Sequence, residues 1–172
     1  QTIRGIVTPR PLLPDEISAA VVLERIQGQP WSEIRLLDHS ECSPEQIDKF
    51  LAQGFFPIEL GEISYKAIGA GSATEALVKT LGLDLADLNA GEIKLIELFA
   101  RRNRDGYMNQ SWMSLPRILG NLYDFPEYNE MNLIERFKDV VYFFLEDENR
   151  RARGEAPART DASMSNELPD LE

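Results

Sequence analysis

The chain has 172 residues, enough for one domain with a real core, and its 43% hydrophobic and 27% charged content is that of an ordinary globular protein. A formal net charge of -11 and a pI near 4.6 argue against binding to a nucleic-acid backbone and against attraction to an anionic membrane surface. The single cysteine, Cys42, excludes an internal disulfide and fits a reducing, cytoplasmic setting; no run reaches the ~18–20 apolar residues of a membrane span, and Ile3 to Val7 is too short for a signal-peptide core.

Taken in order, Ile3 to Thr8 reads as a first strand, and Pro9, Pro11 and Pro14 forbid a helix until Asp15. A helix over Ile17 to Gln27 is apolar almost all round, which predicts burial on most of its surface; Gly28 and Pro30 end it. Asp15 and Glu16 stand where loop becomes helix, so one suits a capping role and the other the positive end of the helix dipole. Ile34 to Asp38 is a second strand ending in an acid. Ser43-Pro44-Glu45-Gln46 is a capping box with proline at the first helical position, opening a helix to about Ala52. Phe55 to Leu60 reads as a third strand, with Pro57 marking an edge or a strand start.

After a turn at Gly61, Ser72 to Glu75 forms another capping box and opens a helix that closes at Gly82. From there the pattern is helical: Gly91 to Arg102, Trp112 to Tyr123 and Asn132 to Asn149, the last with Ile134, Phe137, Val141 and Phe144 on one stripe. From Gly154 the composition turns to small, polar and acidic residues, and a disordered or partner-docked tail over 154–172 is expected. The expected architecture is α/β: one domain over 1–153, with a small parallel, Rossmann-like layer over 1–90 and a helical part over 91–153.

Three constellations carry possible chemistry. Right-handed crossovers bring the ends of the first two strands together, so Asp15 and Asp38, with His39 and Glu41 beside them, form a candidate catalytic or metal set for Mg²⁺ or Mn²⁺. The competing reading makes Asp15 and Glu16 a simple helix start and His39 a surface residue. Gly69, Gly71, Ser72 and Thr74 lead into a capped helix whose free N–H groups suit an anion, although neither a Walker lysine nor G-x-G-x-x-G is present. Cys42 lies beside a helix N-cap, which favours a lowered thiol pKa, and His39 is the one histidine that could assist it. The aromatic residues of the second half read as core, and Arg101, Arg102 and Arg104 as a solvated helix end.

A strand ending in Thr8, a loop ending in Asp15 and Glu16, an alanine-rich buried helix and the later Ser72-Ala73-Thr74 helix resemble the DHH phosphoesterase superfamily, and within it a branch of metal-dependent hydrolase-like proteins. That branch reads Thr-His-x-x-x-His-x-Asp-Glu after its first strand. Here Pro9 and Leu13 stand at the two histidine positions, while Thr8, Asp15 and Glu16 remain. The branch also carries an acid–histidine cluster before the Ser-Ala-Thr helix, where this chain has Gly61-Glu62-Ile63-Ser64-Tyr65-Lys66. The resemblance spans roughly residues 3 to 150. It implies a phosphoesterase fold whose two-metal cage has lost most of its ligands. The expectation is a non-catalytic binding or assembly module without a cofactor, with a protein partner or a second copy as its target. The alternatives are a rearranged Mn²⁺- or Mg²⁺-dependent phosphoesterase and a metal-free phosphate or nucleotide binder.

Overall fold

The computed structural model describes residues 3–28, 33–106, 115 and 130–155. Its strands are β1 (Gly5–Pro9), β2 (Glu33–Leu37) and β3 (Phe55–Pro57), all parallel in the order β2-β1-β3. The central strand aligns Ile6 with Ile34 on one side and with Phe56 on the other. Between the strands lie α1 (Pro14–Gln27) and α2 (Pro44–Ala52). The chain moves from β1 outward to β2 and then back across to β3. Crossovers of one hand running in opposite directions leave their helices on opposite faces of a sheet. The two cores follow this. Ile6 and Phe56 face a large cluster containing α1, whereas Val7, Leu37 and Phe55 face Ile47 and Phe50 of α2.

Helix α1 is buried continuously from Pro14 to Glu24, as its all-round apolar sequence requires. One side covers the sheet, and the others meet α4 (Ala73–Thr80), α5 (Ala90–Asp105) and α6 (Glu130–Ala152). Gly28 closes it in the left-handed conformation (φ 63°), donating its N–H to the Arg25 carbonyl. The helix begins three residues before the expected Ile17, because Pro14 fits a first helical position and Glu16 satisfies the Leu13 N–H at 2.9 Å. Ser43 caps α2 through the Gln46 N–H, the serine half of the predicted capping box.

The third strand is shorter than Phe55 to Leu60. Ile58 still donates to the Val7 carbonyl at 2.9 Å, but Glu59 has φ 55°, which ends the extended run and turns the chain into the 3-10 turn Gly61–Ile63 and the short helix α3 (Tyr65–Ile68).

The helical half packs through one close approach. Gly91 near the start of α5 lies against the Leu145 backbone of α6, and its N–H donates to the buried Asn149 Oδ1 at 2.8 Å. Buried Glu24 ties α1 to α6 by accepting from Lys138 Nζ at 3.0 Å and from the Tyr142 hydroxyl. Arg25 adds ion pairs to Glu92 (3.5 Å) and Glu146 (2.9 Å). These polar links hold α1 in place without opening its apolar faces. Of the expected helix over Trp112 to Tyr123 only Leu115 is described, helical and buried; the rest lies outside the described residues, as do residues 156–172 of the tail. The α/β class with a helical second half is what the structure contains.

A Cβ on Gly91 would stand 2.6 Å from the Leu145 carbonyl oxygen, and backbone cannot yield as a side chain does. Gly91→Ala is therefore expected to destabilise the chain by about 1–3 kcal/mol in urea unfolding, despite alanine's better helix propensity. A neutral or stabilising result would refute the α5–α6 contact.

Candidate functional site

In open α/β sheets ligands bind at the carboxyl ends of strands where the winding reverses. Here that point lies between β1 and β3. A cavity of about 60 Å³ occupies the region, lined by Leu13, Asp15 and Glu16 from α1, Glu59 and Tyr65 after β3, Ala73 on α4, and Arg102 and Asn103 on α5. Three acids therefore converge on one small space. Each is held by a specific partner.

Asp15 does not cap its own helix. Its Oδ2 accepts from the Ala73 N–H (2.8 Å) and from Asn103 Nδ2 (3.2 Å), and its Oδ1 from the Thr74 N–H (3.3 Å) and the Thr74 hydroxyl (3.1 Å). A carboxylate offers about four acceptor sites, so Asp15 is saturated. Burial pushes its pKa above the ordinary aspartate value, while the hydrogen bonds from Ala73, Asn103 and Thr74 pull it back towards the ionised form. Asn103 also donates to the Gly71 carbonyl at 3.0 Å, which binds α5 to the same junction.

Glu16 is the residue that starts α1, through the Leu13 N–H. Burial pushes its carboxyl up to about 8, reinforced by the charges of Glu59 and Asp15 and opposed by the Leu13 N–H and the neighbouring Thr8 hydroxyl. Thr8 is wholly buried, and its hydroxyl makes no well-formed hydrogen bond. Glu59 accepts from the Tyr65 N–H at 2.9 Å; partial burial and the Asp15 charge raise its pKa, while Tyr65 and Lys66 lower it.

The predicted constellations are distributed differently from expectation. Asp38 and His39 are exposed, and Asp38 pairs with Arg10 at 3.4 Å rather than lining the cavity with Asp15. Glu41 turns back to accept from the Asp38 N–H at 3.0 Å. Among the described residues no group of three or more His, Cys, Asp or Glu is arranged to hold a metal ion. The donor set does not fit the ion pair that the phosphoesterase resemblance implies.

The residues of the anion-binding reading gather at the start of α4, where side chains of the chain itself accept from the N–H groups. At the start of α4 the Ala73 and Thr74 N–H groups hold Asp15, and the Gly71 N–H donates to Glu75 Oε2 at 2.7 Å. Ser72 caps the helix through the Glu75 N–H at 3.0 Å. Gly69 ends α3 with φ 68°, and a Cβ on Gly71 would meet the Ala100 Cβ at 2.7 Å, so both glycines answer to chain geometry. The anion at this helix terminus is the chain's own carboxylate.

Cys42 also departs from expectation. Its Sγ donates to the Asp38 carbonyl at 3.4 Å, and burial with the charges of Glu41 and Asp38 pushes the thiol pKa up, away from thiolate reactivity.

Glu59 and Asn103 are the site residues that sequence reasoning missed. Glu59 carried a signal, since it is an acid at the carboxyl end of a strand, like Asp38; reading that strand through Leu60 concealed it. Asn103 lies 88 residues from Asp15 and carried none. Comparison of the chain with protein-family models, with curated proteins and with solved structures yields no match.

Removing the Asp15 carboxylate strands the Ala73 and Thr74 N–H groups, and leaves the Thr74 hydroxyl only the residue-15 carbonyl and Asn103 only the Gly71 carbonyl. Asp15→Ala is expected to cost roughly 2–4 kcal/mol in urea unfolding, while Asp38→Ala, which loses one exposed ion pair, costs at most about 1 kcal/mol. Equal losses would contradict the clamp. Glu16 binds a proton in the folded state at pH values where the unfolded chain has released it. Its stabilisation is thus complete below pH 4.5 and is lost as pH rises through about 8. Melting temperature should fall between pH 5.5 and 8.5, and Glu16→Gln should flatten that slope and raise stability at the alkaline end. A wild-type profile level across this range would show that Glu16 is ionised in the fold.

Proposed function

We propose that this chain is a non-catalytic binding or assembly module, on a fold that resembles the DHH phosphoesterases, whose target is another protein. The observation that carries the reading is the saturation of Asp15. In a metal-dependent phosphoesterase a carboxylate at this position keeps lone pairs open towards an ion and its activated water. In this chain both oxygens are directed at the start of α4 and at Asn103, so the carboxylate acts as a structural pin. The absence of histidine at positions 9 and 13 points the same way.

The net charge of -11 favours a partner with a basic surface, because charge complementarity accelerates encounter and suppresses wrong partners. Among the described residues no helix is long and apolar enough to cross a membrane.

The test pairs thermal shift with catalysis. Mn²⁺, Mg²⁺, Zn²⁺, phosphate and common nucleotides are expected to leave the melting temperature unchanged, and bis(p-nitrophenyl) phosphate is expected to remain intact with each metal. A ligand binding only the native state at a hundred times its Kd would add about 2.7 kcal/mol, so a true site would be visible. Metal-dependent stabilisation or hydrolysis that disappears in Glu59→Gln, a variant that leaves the Asp15 clamp in place, would replace this reading with that of a rearranged phosphoesterase.

A further inference from the structure

A groove of about 310 Å³ opens on the α2 side of the sheet, between that helix and the turn Gly61–Ile63. Its lining is mostly apolar, with Pro44, Ile47 and Leu51 on the helix and Leu60 and Ile63 opposite. Leu51 is 43% exposed, on a helix whose other outward side chains include Glu45 and Lys49. Leu60 belongs to the core beneath the sheet, so the floor of the groove is rigid. Each wall also carries one exposed acid, Asp48 on α2 and Glu62 on the turn. Neither carboxylate has a partner among the described residues, so both are open to a cation.

An apolar trough with an unpaired acid on each side is the complement of an aliphatic anchor flanked by cations. We propose that the groove receives an aliphatic side chain from an amphipathic helix of another protein, with lysine or arginine on that helix pairing with Asp48 and Glu62. Helix-in-groove recognition works through such buried anchors, and the charges set orientation and encounter rate. A second copy of this chain is the poorer occupant. Its most exposed apolar side chains among the described residues, Leu85 and Phe143, stand beside Asp84 and Asp87, and one turn from Asp139 and Asp147. This inference rests on reading the chain as a binding module and names the chemistry of its partner.

The test measures fluorescence anisotropy of the full chain with a short labelled helical peptide carrying two leucines one turn apart, flanked by lysines. Two control peptides replace the leucines with serine or the lysines with glutamate. The lysine–leucine peptide should bind, and the serine peptide should bind about tenfold or more weakly, the effect of losing an anchor. Leu51→Ser, an exposed change, should cause a similar loss with the melting temperature unchanged. Asp48→Lys combined with Glu62→Lys should transfer preference to the glutamate-flanked peptide. Equal binding of leucine and serine peptides, indifference to Leu51→Ser, or a concentration-dependent dimer abolished by Leu51→Ser would each overturn the proposal. Absent peptide binding with metals silent removes only the groove assignment. Metal-dependent hydrolysis alongside peptide binding removes only the non-catalytic reading.

Discussion

The structure depends on one buried carboxylate. Asp15 leaves the first turn of α1 and meets the first turn of α4, supplying the acceptor oxygens that the open N–H groups of a helix start require. Asn103 reaches the same carboxylate from α5, so three elements far apart in the chain are joined at one point beside the carboxyl end of the sheet. A carboxyl group buried this deeply is tolerated only when its lone pairs are satisfied, and here each oxygen receives two donors.

That arrangement determines what the crevice can do. In the phosphoesterase pattern on which we base the proposed function, carboxylates at strand ends work with histidines to hold ions. With proline and leucine at the histidine positions, the acids here turn to internal partners: Asp15 to α4, Glu16 to the start of its own helix, and Glu59 to the Tyr65 N–H. What remains between them is a small cavity whose acids repel one another and retain protons more readily than exposed carboxylates do. The same substitution of internal for external partners explains the α4 terminus, where the sequence advertises an anion site and the fold fills it. Apolar surface is left open on the opposite face of the sheet, beside α2, where we propose that a partner docks.

Much of the fold was legible in the sequence because it rests on local rules. Proline and glycine bounded α1, its uninterrupted apolar residues announced burial on every side, and the serine caps at positions 43 and 72 marked two helix starts within a residue. The acids were legible as residues of interest because charge beside an apolar strand end is uncommon. Their roles were not. Asp15 and Glu16 are adjacent, yet one serves a helix 58 residues away and the other serves its own, a division that follows from side-chain direction on the first turn.

The sequence by itself therefore determined the α/β class, the order of the three strands and of the longer described helices, and the burial of α1, since backbone sterics, capping and hydrophobic periodicity act over a few residues. Only the tertiary structure decided that β1 lies between β2 and β3, that Glu59 rather than Asp38 joins the crevice, and that Asn103 completes the hold on Asp15. Those outcomes depend on which elements become neighbours after packing, and on a carboxylate finding its donors across many residues of chain.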